Sequence, residues 1–238
     1  YISMPGRIHF GRRLLSADQV RFFESQIDPI AGGAGDISDA VLLTSRAGTT
    51  RYDFNFKESF VRPGLGSENW TSRCNYPALG IVQTGPSEMS MYVQRQYGQR
   101  TAHLERMTLR LDGFASLSAP HSGGEVVTKP FTFEGRYLEL NYATSAAGSI
   151  RVEIQDQKGR PIPGYSLMDC PYIIGDEISR LVGWDSGAVR GHLPETGVSE
   201  ETMRYENVKE YEEGPVLREI PSDLSRLANK PIRFRFVM

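Results

Sequence analysis

The sequence predicts an all-β chain whose strands come in two groups, and three observations carry the prediction. First, apolar and polar residues alternate in short runs: Leu138, Leu140 and Tyr142 with Glu139 and Asn141, then Ile150, Val152 and Ile154 with Arg151, Glu153 and Gln155. A period of two marks a half-buried strand, because successive side chains leave opposite faces of the pleat. Second, 24 glycines and 14 prolines in 238 residues punctuate the chain too often for long helices. Third, residues 78–83, 88–97 and 103–111 form three consecutive strand-like runs joined by short links. The first is apolar, the second alternating and the third alternating and charged. That gradient suits one blade of a propeller ordered from axis to rim, since only the outermost strand meets water.

Taken in order, residues 1–15 read as a strand carrying Ile2, Met4, Ile8 and Phe10, interrupted at Pro5-Gly6. Residues 16–27 read as a helix or turn, capped by Ser16, with Val20, Phe22, Phe23 and Ile27 facing inward. After the loop at 32–36, the run Ala40-Val41-Leu42-Leu43-Thr44 is a strand buried on both sides, and Ser45-Arg46-Ala47-Gly48 turns into a strand at 51–54. Residues 60–75 form a loop ahead of the three-strand blade. Asp112-Gly113 marks a junction, so residues 1–112 are expected to be a partial propeller and residues 113–238 a β-sandwich. The sandwich strands fall near 114–118, 124–133, 136–143, 149–156, 178–184 and 231–238, with 136–143 and 149–156 paired as a hairpin through the small-residue run 143–148. Residues 185–214 form an acidic insertion.

Several functional classes are disfavoured. A net charge of −2 with no basic stripe argues against a nucleic-acid surface. No apolar run approaches the roughly 20 residues of a membrane-spanning helix. His9, His103, His121 and His192 show no metal-ligand spacing, and the paired glycines at 32–33 and 123–124 do not open helices in a βαβ setting, so neither metal nor cofactor is expected. Cys74 and Cys170 are two thiols that either pair or stay buried and inert. Asn69-Trp70-Thr71 is a formal glycosylation triplet. The chain begins Tyr1-Ile2-Ser3-Met4 and stops inside the alternating run 232–238, which reads as a fragment of a longer polypeptide.

Two stretches, Ser38-Asp39-Ala40-Val41-Leu42-Leu43-Thr44-Ser45-Arg46-Ala47-Gly48 and Phe60-Val61-Arg62-Pro63-Gly64-Leu65, together with Asn69-Trp70, resemble the later blades of a bacterial family. That family is similar to the five-bladed propeller glycoside hydrolases, the invertase, levanase and arabinanase group (families 32 and 43). Its C-terminal module resembles residues 112–125, Leu138-Glu139-Leu140-Asn141, Gly159-Arg160-Pro161-Ile162-Pro163-Gly164-Tyr165-Ser166 and residues 227–236. The resemblance implies hydrolysis of glycosidic bonds, an oligo- or polysaccharide partner, and an extracellular or periplasmic location. Residues 45–52 also resemble a sialidase-type Asp-box, with Ala47 where its aspartate would stand. The Asn-Asp-Pro-Asn, Arg-Asp-Pro and Glu-Cys signatures of invertases are not found.

Glycoside cleavage needs two carboxyls across the scissile bond, one protonated and one charged. Asp36, Asp39, Asp53, Glu58 and Glu88 lie at or beside strand starts, and Asp39 and Glu58 are the expected catalytic pair. Each also has a local explanation: Glu58 as the ion-pair partner of Arg62 at i+4 or of Arg51, Asp39 as a turn cap. Arg62, Trp70, Arg73, Asn75 and Tyr76 are the expected substrate-binding residues, because aromatic faces stack on sugar rings while Arg and Asn bind hydroxyls. Trp70 equally suits a plug between domains. The competing readings are a hydrolase, a non-catalytic saccharide-binding module, and a purely structural piece.

Overall fold

The computed structural model of the chain describes residues 1–12, 14–26, 36–184 and 222–238. Among the described residues it is all-β in character, with thirteen strands and one α-helix. The chain divides into two compact units, Tyr1–Ala115 and Ser116–Met238.

The first unit holds two four-stranded antiparallel sheets built to one plan. In the first sheet, β1 (Ile2–Ser3) and β2 (Gly6–His9) pair with successive stretches of the central β3 (Ile37–Thr44), and β4 (Asp53–Val61) takes the other side of β3. In the second, β5 (Tyr76–Pro77) and β6 (Val82–Gln83) pair with successive stretches of β7 (Glu88–Arg95), and β8 (His103–Arg110) flanks β7 through eight unbroken pairs. Each sheet therefore has an interrupted first strand, a long central strand and a long outer strand. The first interruption is Pro5, which has no ladder donor, followed by Gly6. The second is residues 78–81, where Gly80 adopts a left-handed φ of 97° that a side chain would strain.

Ala40 and Val61 of the first sheet meet Met91 and Val93 of the second in one buried cluster, flanked by Met4, Phe60, Ile81 and Met107. The sheets approach closely at Gly6, where a Cβ would lie 2.4 Å from the Tyr76 ring. Burial of β3 from Ile37 to Leu42 accords with the expected two-sided strand.

Helix α1 (Ala17–Gln26) begins where Ser16 was expected to cap it. The Gln19 amide donates to Ser16 Oγ at 3.3 Å, and the Ser16 amide donates to Gln19 Oε1 at 2.9 Å, a reciprocal capping box. The expected inward face is corrected at Phe22, which is 62% exposed. Val20 and Phe22 are two residues apart, about 200° around a helix, and cannot share a face. The Phe23 side chain, Ile27 and most of the loop at 32–36 lie outside the described residues.

The second unit contains β9 (Glu125–Val127), β10 (Glu139–Ala143), β11 (Arg151–Asp156), β12 (Asp176–Leu181) and β13 (Ile232–Val237). They form two antiparallel sheets, β11-β13-β9 and β10-β12. The expected hairpin is thereby overturned: β10 pairs with β12 and β11 pairs with β13, so the chain crosses between sheets at residues 144–150. Alternation specifies which side chains face the core but not which strand supplies the hydrogen bonds. The apolar faces of β10 and β11 still share one core, in which Tyr142 joins Val152, Ile154, Ile173, Trp184 and Ile232, with Leu138, Leu140 and Ile150 packed beside them. The Trp184 indole N–H donates to the Val152 carbonyl at 2.8 Å, so this ring is satisfied inside the core.

Three other expected strands shrink, and of 78–83 what remains is β6, both of its residues exposed although the first strand of the blade was expected to be shielded from water. Residues 114–118 are not a strand, and 124–133 reduces to β9 plus an isolated bridge from Phe131 to Ile232. Pro130 lies between them and lacks the donor a continuous ladder needs. The acidic insertion at 185–214 lies outside the described residues.

Candidate functional site

A pocket of about 470 Å³ opens on the first sheet, within the range of small-molecule sites. Its floor follows from strand register. Arg7 faces Asp39 and His9 faces Ile37 across the β2–β3 ladder, and the period of two puts all four on one face. Ser59 joins them from β4, in the stretch where that strand slips register between its pairings to Ala40 and Leu42. Such irregularities re-aim side chains, here bringing a hydroxyl to Asp39. Arg12, just beyond β2, and the segment Arg62-Pro63-Gly64 with Trp70 supply the walls.

Asp39 is the centre of the floor, its side chain only 8% exposed. Arg7 grips it with a two-pronged fork, Nε to Oδ1 at 2.9 Å and Nη2 to Oδ2 at 2.7 Å, and the Ser59 hydroxyl donates to Oδ2. His9 Nε2 lies 3.7 Å from Oδ1. Arg7 Nη1 also donates to the Lys57 carbonyl at 3.0 Å, so one guanidinium on β2 bridges β3 and β4. Burial alone would push the Asp39 carboxyl up, but the Arg7 fork and the Ser59 hydroxyl outweigh it and hold the carboxyl below the ordinary aspartate range. The group is a fixed anion, with geometry typical of bidentate Arg–carboxylate pairs.

The wall is positioned from beneath by a buried polar network. Arg95 donates through Nη1 to the Arg62 carbonyl at 3.1 Å and to Asn75 Oδ1, and through Nε to Glu105. Asn75, completely buried, donates from Nδ2 to the Ser38 carbonyl at 2.8 Å and to the Asn69 carbonyl at 3.0 Å. It thus ties β3 to the residue before Trp70. Its φ of 68° is left-handed, a conformation Asn tolerates better than most residues. The Trp70 indole N–H donates to the Gly64 carbonyl at 2.9 Å, which anchors the ring edge against the wall.

Three expected site residues therefore share the pocket lining, Asp39, Arg62 and Trp70. The others do not line it. Glu58 is 88% exposed and lies 3.9 Å from Arg62, the i+4 contact that was its local alternative. Asn75 is a buttress behind the wall, Tyr76 packs against Gly6 with burial pushing its phenol pKa up, and Arg73 lies over the Tyr97 ring at 5.8 Å from its centroid. Asp39 is an ion-pair centre on a strand and not a turn cap. Glu88 pairs with Arg106 and Thr84 at an exposed position.

Sequence reasoning missed Arg7, His9, Arg12, Ile37 and Ser59. Arg7 and His9 alternate with Ile8 on a strand, a visible pattern, but nothing in it names Asp39, 32 positions away, as their partner. Within the glycosylation triplet, Thr71 is buried and Asn69 Nδ2 donates to the Leu65 carbonyl at 3.4 Å. Cys74 and Cys170 are both free buried thiols. Among the described residues, no cluster of three or more His, Cys, Asp or Glu could hold a metal ion, and no helix is long and apolar enough to cross a membrane. No protein-family model, curated protein or solved structure matches the chain.

Proposed function

We propose that the pocket on the first sheet is a saccharide-binding site, carried on two propeller blades, with the second unit an appended β-sandwich. The observation that carries the proposal is Trp70, its ring edge anchored to Gly64, beside Arg62 and above a floor of hydrogen-bonding groups. An anchored indole offers a flat apolar face for a sugar ring's C–H surface, and guanidinium groups bind hydroxyls. The shared plan of the two sheets and the resemblance of residues 38–48 and 60–65 to late blades support the fold reading.

Binding without cleavage fits the carboxyls better than hydrolysis. Cleavage requires a second, protonated carboxyl across the bond from the charged one. Asp39 supplies a charged group, but Glu58 lies outside the lining. The hydrolytic reading keeps one specific support, since a carboxylate held ionised in a pocket floor is what a nucleophile or base must be. A glycan array probed with the whole protein separates the readings. Retention that disappears in Trp70→Ala, with no shortened product by chromatography, is expected. Shortened products that vanish in Asp39→Asn would establish hydrolysis instead, and no retention of any glycan would refute the saccharide assignment.

A further inference from the structure

The charge of the pocket lining goes further than saccharide binding and rests on that reading. Three guanidinium groups, those of Arg7, Arg12 and Arg62, line the pocket against one carboxylate, Asp39. Arg7 is consumed by Asp39, so these two cancel. Among the described residues the acid paired with Arg62 is Glu58, at 3.9 Å, beyond hydrogen-bond reach and largely in water, where such a pair is worth little. Among the described residues no hydrogen bond or ion pair engages Arg12. Two positive charges in the lining are therefore left without close compensation.

A neutral sugar would offer these guanidinium forks hydroxyls alone, with no charge to set against theirs. An oxyanion offers each fork a planar or tetrahedral set of acceptors that it can grip with two parallel hydrogen bonds. We propose that this pocket selects an acidic saccharide, one bearing a carboxylate or a sulfate ester, with Arg12 and Arg62 as the groups that read the charge and Trp70 as the platform for the ring. Asp39 has a second role in this arrangement: by neutralising Arg7 it keeps the positive charge of the lining on the walls.

The test is titration of the whole protein with three probes, followed by calorimetry: tetragalacturonate, its fully methyl-esterified counterpart, and a sulfated κ-carrageenan tetrasaccharide. The acid forms are expected to bind about tenfold more tightly than the ester in 50 mM NaCl. The advantage is expected to vanish in 0.5 M NaCl, because salt screens exposed charges while leaving ring stacking intact. Arg12→Ala and Arg62→Ala should each reduce the preference for the acid forms over the ester by about threefold; both side chains sit on the surface, and an unchanged melting temperature will show that folding is intact. Binding of tetragalacturonate alone or of the sulfated probe alone identifies which oxyanion is read, and either supports the proposal. Equal binding of acid and ester, lost in Trp70→Ala, overturns the acidic preference and leaves the saccharide reading standing. No binding of any of the three, together with no retention on the array, overturns both.

Discussion

Two buried carboxylates, one in each unit, share the same local construction and differ in what surrounds them. Asp39 is paired across the β2–β3 ladder with Arg7, and Glu153 across the β11–β13 ladder with Arg235. Each arginine sits directly opposite its partner in register, and each carboxylate collects further donors. Ser59 donates to Asp39; Gln155 Nε2 and the Leu167 amide donate to Glu153 at 2.7 and 3.2 Å. The arginines differ in their commitment. Arg7 gives Asp39 a two-pronged grip, whereas Arg235 directs its fork to Glu125 and lies 3.5 Å from Glu153. The surroundings differ more. Asp39 faces a pocket walled by Arg12, Arg62 and Trp70, while Glu153 lies on a strand whose central residues are buried on both faces. A buried, paired carboxylate is thus a structural device first, and the groups on its open side decide whether it also belongs to a site.

The largest effect expected from breaking this comparison is on stability. Arg7→Ala should cost on the order of 3 kcal/mol in urea unfolding, because it leaves Asp39 buried and unpaired. Removing Asp39 as well should restore part of that loss, since the double variant buries no lone charge; a loss in Arg7→Ala/Asp39→Ala as large as the sum of the singles would contradict the pairing.

Next comes acid titration of the same group. Because the Asp39 carboxyl is held below its unfolded value, its stabilisation is full above the unfolded pKa of about 4 and fades as pH falls through the folded value. Asp39→Asn should therefore be less stable than the parent at pH 7, and the gap should narrow steadily below about pH 4. A constant gap from pH 7 to pH 2 would show that charge is not what Asp39 contributes.

A smaller effect sharpens the functional half of the comparison. Trp70→Ala should abolish glycan retention with its melting temperature near that of the parent, whereas Glu153→Gln should lower stability by about 1–2 kcal/mol and leave retention unchanged. If Glu153→Gln also weakened glycan binding, the separation of structural and binding carboxylates would fail. The smallest change is expected at Glu58→Gln. A side chain 88% exposed and 3.9 Å from its partner should alter unfolding by no more than about 0.5 kcal/mol, and an abolished glycan turnover in that variant would reinstate Glu58 as a catalytic group.

Much of the strand content was legible because period two survives in any context. The runs at 88–97, 103–111 and 232–238 correspond to β7, β8 and β13, and the two-sided burial of β3 follows from its unbroken apolar run. Of the expected site residues, Asp39, Arg62 and Trp70 line the pocket, Asp39 from β3 and the other two from the segment after β4, the strand that pairs with β3. Glu58 stands between Phe56 and Phe60, a setting that suggests shelter, yet its side chain is 88% exposed and Phe56 is itself 46% exposed, because outward positions on an outer strand meet water whatever their sequence neighbours.

What the amino-acid order determined alone is the alternation of faces, the break at Pro5-Gly6 and the Ser16 cap, all set by interactions spanning a few residues. Tertiary structure decided who pairs with whom. Side-chain alternation is the same for a strand whichever neighbour hydrogen-bonds to it, so β10 and β11 could face each other across a core instead of forming a hairpin. The partnership of Arg7 with Asp39, and the pocket that depends on it, arise from register between strands far apart in the sequence, which no local pattern encodes.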